Sequence, residues 1–232
     1  MNSLFGDFDT HSCDLQVRKV IVVGSTGSGK SSLSHYLVGK YTLGTASKLS
    51  GSAVTKGVVQ YKGSYLGSSA SKVQYVVVDS EGYGADEFST DSLKNQLINS
   101  LRFETELNCV VVCIAFERFR KGLKEDLDHL IGVIKTIGLE QTCMLLVFTH
   151  CEMYNETVKQ QYLKEFKAYY SLTISDEDCL FCCFANMAEV NQNYEPLLLE
   201  DVKSSITNLR EAINKKSACV NVAIKIANIE GK

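Results

Sequence analysis

The stretch VVGSTGSGKSS, Val22 to Ser32, constrains this chain more than any other. It fits GxxxxGK[ST] at Gly24, Gly29, Lys30 and Ser31, a spacing that crowds backbone N–H groups closely enough to cradle phosphate oxygens. The apolar run QVRKVIVVG precedes it and a helix-like segment follows. Such a turn aims the positive end of a helix at a bound anion. A chance glycine-rich turn would have no reason to sit between those two elements. Ser25, Thr26, Gly27, Ser28 and Ser32 complete the candidate phosphate-binding set. Lys30 would reach the β/γ-phosphates, and Ser31 would offer its hydroxyl to Mg²⁺.

Apolar runs recur along the chain: QVRKVIVVG, GVVQYKGSYL, KVQYVVVD, NCVVVCIAF, CMLLVFTH and DCLFCCFA. They predict six strands. The third to fifth are almost wholly apolar, as strands covered on both faces are, so the sheet is expected to be mostly parallel with helices on both sides. That is an α/β, three-layer P-loop NTPase architecture. Leu123, Leu127, Leu130, Ile131, Ile134 and Ile137 recur opposite Lys124, Glu125 and Asp128, which predicts an amphipathic crossover helix over residues 121–137. A last helix is expected over residues 195–215. The tail SACVNVAIKIANIEGK alternates Val220, Val222, Ile224 and Ile226, a pattern open to an edge strand or to part of an amphipathic helix. The chain divides into an N-terminal extension over 1–16, a folded domain over 17–215 and a tail over 216–232.

Composition narrows the function classes. A net charge of −3 provides no basic field for a polyanion, so nucleic acid is not expected as a partner. The N-terminus lacks a basic segment followed by an apolar run, and no window reaches the roughly 18 apolar residues of a membrane span. A cytoplasmic protein is expected. The nine cysteines are an odd number, which argues against a disulfide framework. Cys179, Cys182 and Cys183 lie in an apolar run with no matching Cys/His pair downstream, and read as core thiols rather than a metal site. Cys109 and Cys113 share one face of a strand, again as packing.

Further candidates follow the other strands. VVVDSEGYG ends a strand with Asp79, placed to hold Mg²⁺ through water at the carboxyl edge of the sheet. Gly82 completes DxxG, where a backbone N–H can approach a γ-phosphate and release its segment when that phosphate is lost. FTHCE, Phe148 to Glu152, occupies the place of an [NT]KxD base-reading motif. A carboxylate at Glu152 accepts from guanine N1–H and the exocyclic amine, whereas adenine would leave it unpaired. GTP is therefore preferred to ATP. Thr149 keeps the first position of the motif. His150 either stacks on the base or covers the strand end. In CFANMAE, Asn186 and nearby amides either reach guanine O6 or form an ordinary turn. The segment YTLGTASKLSGSAVTKG, after the first helix, is either a surface loop or, as its place after a phosphate loop favours, a nucleotide-sensing switch.

With these residues in view the sequence resembles the AIG-type immunity-associated GTPases, a septin and chloroplast-import-receptor branch of the Ras-like G domains, over about residues 17–215. SAVTKG resembles the switch segment around Thr55, DSEGYG the DTPG segment, and AFERFRKGLKEDL the box that distinguishes the family. The resemblance implies Mg²⁺ held by Ser31, Thr55 and Asp79, and a nucleotide-dependent homodimer whose G domains face one another. It also implies slow GTP hydrolysis to GDP, because Tyr83 stands where many Ras-like enzymes place a water-orienting Gln. Lys30, Thr55, Gly82 and Arg118 are the candidate catalytic residues. Arg118 either stabilises transition-state charge in the partner's site or forms a surface ion pair with Glu104, Glu106 or Glu117. Two alternatives share the loop: a non-hydrolysing nucleotide-bound scaffold, including one assembled at a membrane surface, and an ATP-dependent small-molecule kinase.

Overall fold

The computed structural model describes residues 16–38, 59–66, 72–80, 82, 106–116, 121–136, 143–183, 195–216 and 220–221. These contain strands β1 (Gln16–Gly24), β2 (Val59–Leu66), β3 (Lys72–Asp79), β4 (Glu106–Leu107), β5 (Cys109–Ala115), β6 (Met144–Thr149), β7 (Cys179–Phe181) and β8 (Val220–Asn221). The helices are α1 (Lys30–Leu37), α2 (Lys121–Thr136), α3 (Glu156–Tyr170) and α4 (Glu195–Lys215). Six strands form one sheet in the order β2-β3-β1-β5-β6-β7. Only its β2–β3 pairing is antiparallel; β1 pairs in parallel with β3 and β5, β5 with β6, and β6 with β7. The mostly parallel sheet read from the apolar runs is present. Its order diverges to opposite sides at β1, which places the carboxyl end of β1 at the crevice where such sheets bind ligands.

The period of two in each strand divides the core. Ile21 and Val23 join Val110, Val112, Ile114, Leu146 and Phe148 in packing against Leu127 and Leu130 of α2 and Leu163, Phe166 and Tyr170 of α3. Their neighbours Val20 and Val22 join Cys109, Val111, Cys113, Leu145 and Val147 against Leu33 and Leu37 of α1 and Leu209, Ala212 and Ile213 of α4. Three layers result. Every residue of β6 is buried, and β5 is exposed only slightly at its last residue, because helices cover both sides of these central strands. Cys109 and Cys113 lie within the second cluster, and burial pushes the Cys113 thiol up to about 12. The described Cys179, Cys182 and Cys183 are also buried free thiols.

Some boundaries shift. The helix expected over 121–137 spans Lys121–Thr136, and the last helix spans Glu195–Lys215. The run DCLFCCFA forms a strand only to Phe181. Cys182 N–H still donates to the Phe148 carbonyl at 2.8 Å, but Cys183 N–H turns to the Ser205 hydroxyl of α4 at 2.9 Å, and the ladder stops. Helix α3 begins at an Asn155 cap whose side chain accepts from Val158 N–H at 3.0 Å, satisfying one free donor of the first turn. Part of the tail resolves as an edge strand: β8 pairs antiparallel with β4, through Glu106 with Asn221 and Leu107 with Val220.

A buried cation ties together the two helices of the phosphate-loop face. Arg210 of α4 is 4% exposed and donates to the carbonyls of Tyr36 and Leu37 at 3.2 and 2.9 Å, at the carboxyl end of α1. A cation there complements the negative end of the helix dipole. Its guanidinium also lies 5.7 Å from the Tyr75 ring centroid. Arg210→Leu keeps the aliphatic bulk and removes these donors, so unfolding in urea should show a loss of roughly 2–4 kcal/mol. A variant as stable as the parent would contradict this account of how α1 is anchored.

Candidate functional site

The loop between β1 and α1 is built on backbone that few side chains permit. Gly27 and Gly29 take φ values of 79° and 83°, in the left-handed region where glycine carries no Cβ penalty. Gly24 is required for space: a Cβ there would lie 2.3 Å from the Cys113 carbonyl oxygen of β5 and 2.8 Å from Ser28 Oγ. The loop thus lies directly on the end of the neighbouring strand.

Three of its carbonyls are engaged from within the protein. Lys30 Nζ donates to Ser25 O at 2.8 Å. Thr149 Oγ1, at the end of β6, donates to Ser28 O at 2.8 Å. His150 Nε2 lies 3.0 Å from Gly27 O, and since a carbonyl only accepts, Nε2 is the protonated nitrogen. Engaging the carbonyls offsets their negative ends and leaves the loop's electrostatics dominated by N–H groups, the condition for an anion nest. Lys30 itself is buried, and desolvation lowers its pKa against the opposing pull of Cys113 and Asp79. A desolvated ammonium of this kind is suited to an anionic ligand.

Ser31 and Asp79 meet at the other side of the loop. Ser31 Oγ donates to Asp79 Oδ2 at 2.7 Å. Asp79 is fully buried, and burial raises its pKa although Ser31 and Lys30 oppose that shift. Its Oδ1 has no hydrogen-bond partner among the described residues. A hydroxyl and a carboxylate with an unmatched buried oxygen are hard donors suited to Mg²⁺, so these two residues fit the ion. Gly82 closes the same side: a Cβ would sit 2.6 Å from Thr26 Oγ1 and 2.8 Å from Thr26 N. Only glycine lets the DxxG segment come this close to the phosphate loop. Ser32 lies half-buried in the first turn of α1.

At its carboxyl end β6 finishes in Thr149 and the chain turns sharply. His150 is left-handed with φ 57°, a conformation in which His is enriched among non-glycine residues. Its ring joins the strand end to the phosphate loop. Cys151 is buried, and its thiol faces the carbonyls of Phe148 and Cys182, each at 3.6 Å, joining the turn after β6 to the end of β7. Glu152 follows, half-buried, and electrostatically near Cys151 and Cys183. The strands therefore bring together Gly24 to Ser32, Asp79, Gly82, Thr149 and His150, with Glu152 two residues beyond. Thr55, Arg118 and Asn186 lie outside the described residues, as do Glu81 and Tyr83.

Sequence reasoning missed two residues here. The Cys151 thiol read only as one cysteine among many, and Phe116 read only as the end of an apolar run. Phe116 N–H donates to Thr149 O at 2.8 Å, and its ring packs against Tyr154 and Tyr162 with centroids 4.4 and 4.0 Å away. The aromatic residues at 116, 154 and 162 were visible signals, but their meeting depends on sheet order.

A glycine-rich loop after β1, an acidic residue ending β3 and a turn after β6 in the position of a base-reading motif fit a P-loop G domain, the fold of a GTP-binding GTPase family. The chain belongs to the AIG1 family, whose model matches residues 18–222. Its fold is similar to that of Toc33 from Arabidopsis thaliana, solved as a dimerization-deficient arginine-to-alanine mutant, with a TM-score of 0.59 and 14% identity over 90% of this chain and 88% of that chain. Among curated proteins, none matches the sequence.

The glycines provide a test of the loop's construction. Gly24→Ala drives a methyl into the β5 backbone and should destabilise the fold by about 3 kcal/mol in urea unfolding. Gly27→Ala meets no atom within 4 Å and should lose only about 1 kcal/mol, the penalty of its left-handed backbone. Equal losses would contradict the close approach at Gly24.

Proposed function

We propose that this protein is a GTP-binding switch that takes Mg·GTP, pairs through its G domain in that state and slowly hydrolyses GTP to GDP. The observation that carries the reading is a pair of buried, desolvated charges, Lys30 and Asp79, beside a loop whose carbonyls are already engaged, with Asp79 Oδ1 left without a hydrogen-bond partner among the described residues. In this reading Lys30 leaves Ser25 O for the β/γ-phosphates. Ser31 and Asp79 hold Mg²⁺, with Thr55 joining them in the GTP state. When bound, the ion neutralises developing phosphate charge. Gly82 N–H approaches the γ-phosphate, and Glu152 accepts from the guanine edge beside Thr149, His150 and Asn186. Arg118 enters the partner's site and stabilises charge as water attacks the γ-phosphorus and the bond to the β-phosphate oxygen breaks. Support for pairing comes from Toc33, a G domain of similar fold whose arginine-to-alanine mutant is dimerization-deficient.

Tyr83, at the place of a water-orienting Gln, favours a second reading: a nucleotide-bound scaffold that does not hydrolyse, including one assembled at a membrane surface. Among the described residues, no helix is long and apolar enough to cross a membrane.

Turnover per molecule decides between these readings. It should rise with protein concentration, and Arg118→Ala should lower it by about 10³-fold at high concentration if the arginine acts as fingers do. GTP left intact for hours at high protein concentration supports the scaffold. Concentration-independent turnover removes the paired mechanism. In competition binding, Glu152→Gln should reduce the preference for GTP over ATP by about tenfold or more, the discrimination carried by a charged hydrogen bond. Equal binding of both nucleotides by the parent protein would overturn the choice of guanine.

A further inference from the structure

The turn that carries Glu152 is suspended at two points. On one side the buried Cys151 thiol faces Phe148 O and Cys182 O. On the other, Tyr154 N–H donates back to Cys151 O at 3.2 Å, and the Tyr154 ring lies against Phe116 with centroids 4.4 Å apart and planes at 36°. Between these points Met153 is 91% exposed and provides no anchorage. Phe116 is itself doubly fixed. Its N–H continues the β5–β6 ladder onto Thr149 O at 2.8 Å, and its ring also contacts Tyr162 of α3, stacked at 4.0 Å and 29°, and Phe181 at 6.2 Å. Tyr162 in turn contacts Phe148 and Phe166 of the core. The aromatic series runs from the buried core, through Phe116, to the residue two positions after Glu152.

We infer that Phe116 is a positioning residue for nucleobase selection: clamped between Tyr154 and Tyr162, its ring fixes the 150–155 turn so that the Glu152 carboxylate is presented in one geometry. The inference rests on the reading of Glu152 as the guanine acceptor. A carboxylate on a loose turn would still meet guanine, but its hydrogen bonds would be formed at the entropic expense of ordering the turn. A preorganised turn avoids that ordering. Phosphate grip, which belongs to the loop after β1, does not depend on this ring.

The test uses the full chain and measures GTP, ATP and inorganic tripolyphosphate affinities by calorimetry for the parent, Phe116→Leu, Phe116→Tyr, Tyr154→Ala and Met153→Ala. Phe116→Leu should weaken GTP by about five- to tenfold, the range of an aromatic pair, and leave ATP and tripolyphosphate unchanged. Phe116→Tyr keeps the ring and should restore GTP affinity. Tyr154→Ala removes the more exposed partner of the stack and should reproduce the Phe116→Leu pattern, which keeps the test available should that variant fail to fold. Met153→Ala should match the parent. A parallel loss for all three ligands, or no loss of GTP affinity, would overturn the inference. Glu152→Gln separates the two layers of argument. If it reduces the GTP preference while Phe116→Leu and Tyr154→Ala leave that preference at the parent's level, the positioning role alone falls. If it leaves the preference intact, the guanine reading falls and the role of Phe116 with it.

Discussion

The phosphate loop rests on the ends of two strands that are remote from it in sequence, and the remaining site geometry depends on that contact. Gly24 presses onto the Cys113 carbonyl of β5 with no room for a Cβ, while Thr149 at the end of β6 holds Ser28 O. The parallel pairing of β1 with β5 and β5 with β6 sets these distances. Register is therefore a functional quantity here: a slip by one residue would exchange the two core faces and remove Thr149 from the loop. The wholly buried β6 leaves little scope for such a slip, because every one of its side chains has a packed environment to lose.

That anchorage creates an electrostatic imbalance. Ser25, Gly27 and Ser28 direct their carbonyls to donors of the protein itself, and Lys30 and Asp79 are buried with their charges opposed by desolvation. Each shift disfavours the ionised form, so neither group is at ease without further partners. Their mutual attraction offsets only part of this. A polyanion beside Lys30 and a divalent cation beside Asp79 would compensate both at once. Such a ligand would stabilise the folded state by mass action, and the same two residues would link occupancy of the site to the stability of the strands that carry it.

Much of the frame was legible because it is local. Continuous apolar runs marked the central strands, and the spacing of Leu127, Leu130 and Ile131 marked the buried face of α2, where the first two are fully buried and the third packs against them. The loop motif placed Lys30 and Ser31 from their spacing alone. What escaped was non-local. Arg210 looks like a solvated residue of an amphipathic helix until α4 lies across α1. β7 looked longer than it is because Cys182 and Cys183 are as apolar as strand residues, whereas Ser205 intercepts the Cys183 N–H. The tail's alternation fitted two structures, and only the partner strand at Glu106–Leu107 distinguishes them.

The base side shows why a degenerate motif is not by itself evidence of weak selection. FTHCE departs from [NT]KxD at two places, yet each departure has a local physical account. His150 adopts φ 57°, tolerated by few side chains, and its ring N–H reaches Gly27 O across the gap between β6 and the phosphate loop. A lysine stem could cover a base, but it would not provide this planar tie at so short a reach. Glu152 is one methylene longer than aspartate and has an additional rotatable bond to order. If Glu152 reads the base as proposed, selectivity would rest less on the carboxylate itself than on how stiffly its turn is held, by Cys151 toward β7 and by Tyr154 toward Phe116. The aromatic series behind the turn belongs to the hydrophobic core at one end and to the base-side loop at the other, so the packing of α3 against the sheet and the geometry of Glu152 are one mechanical problem.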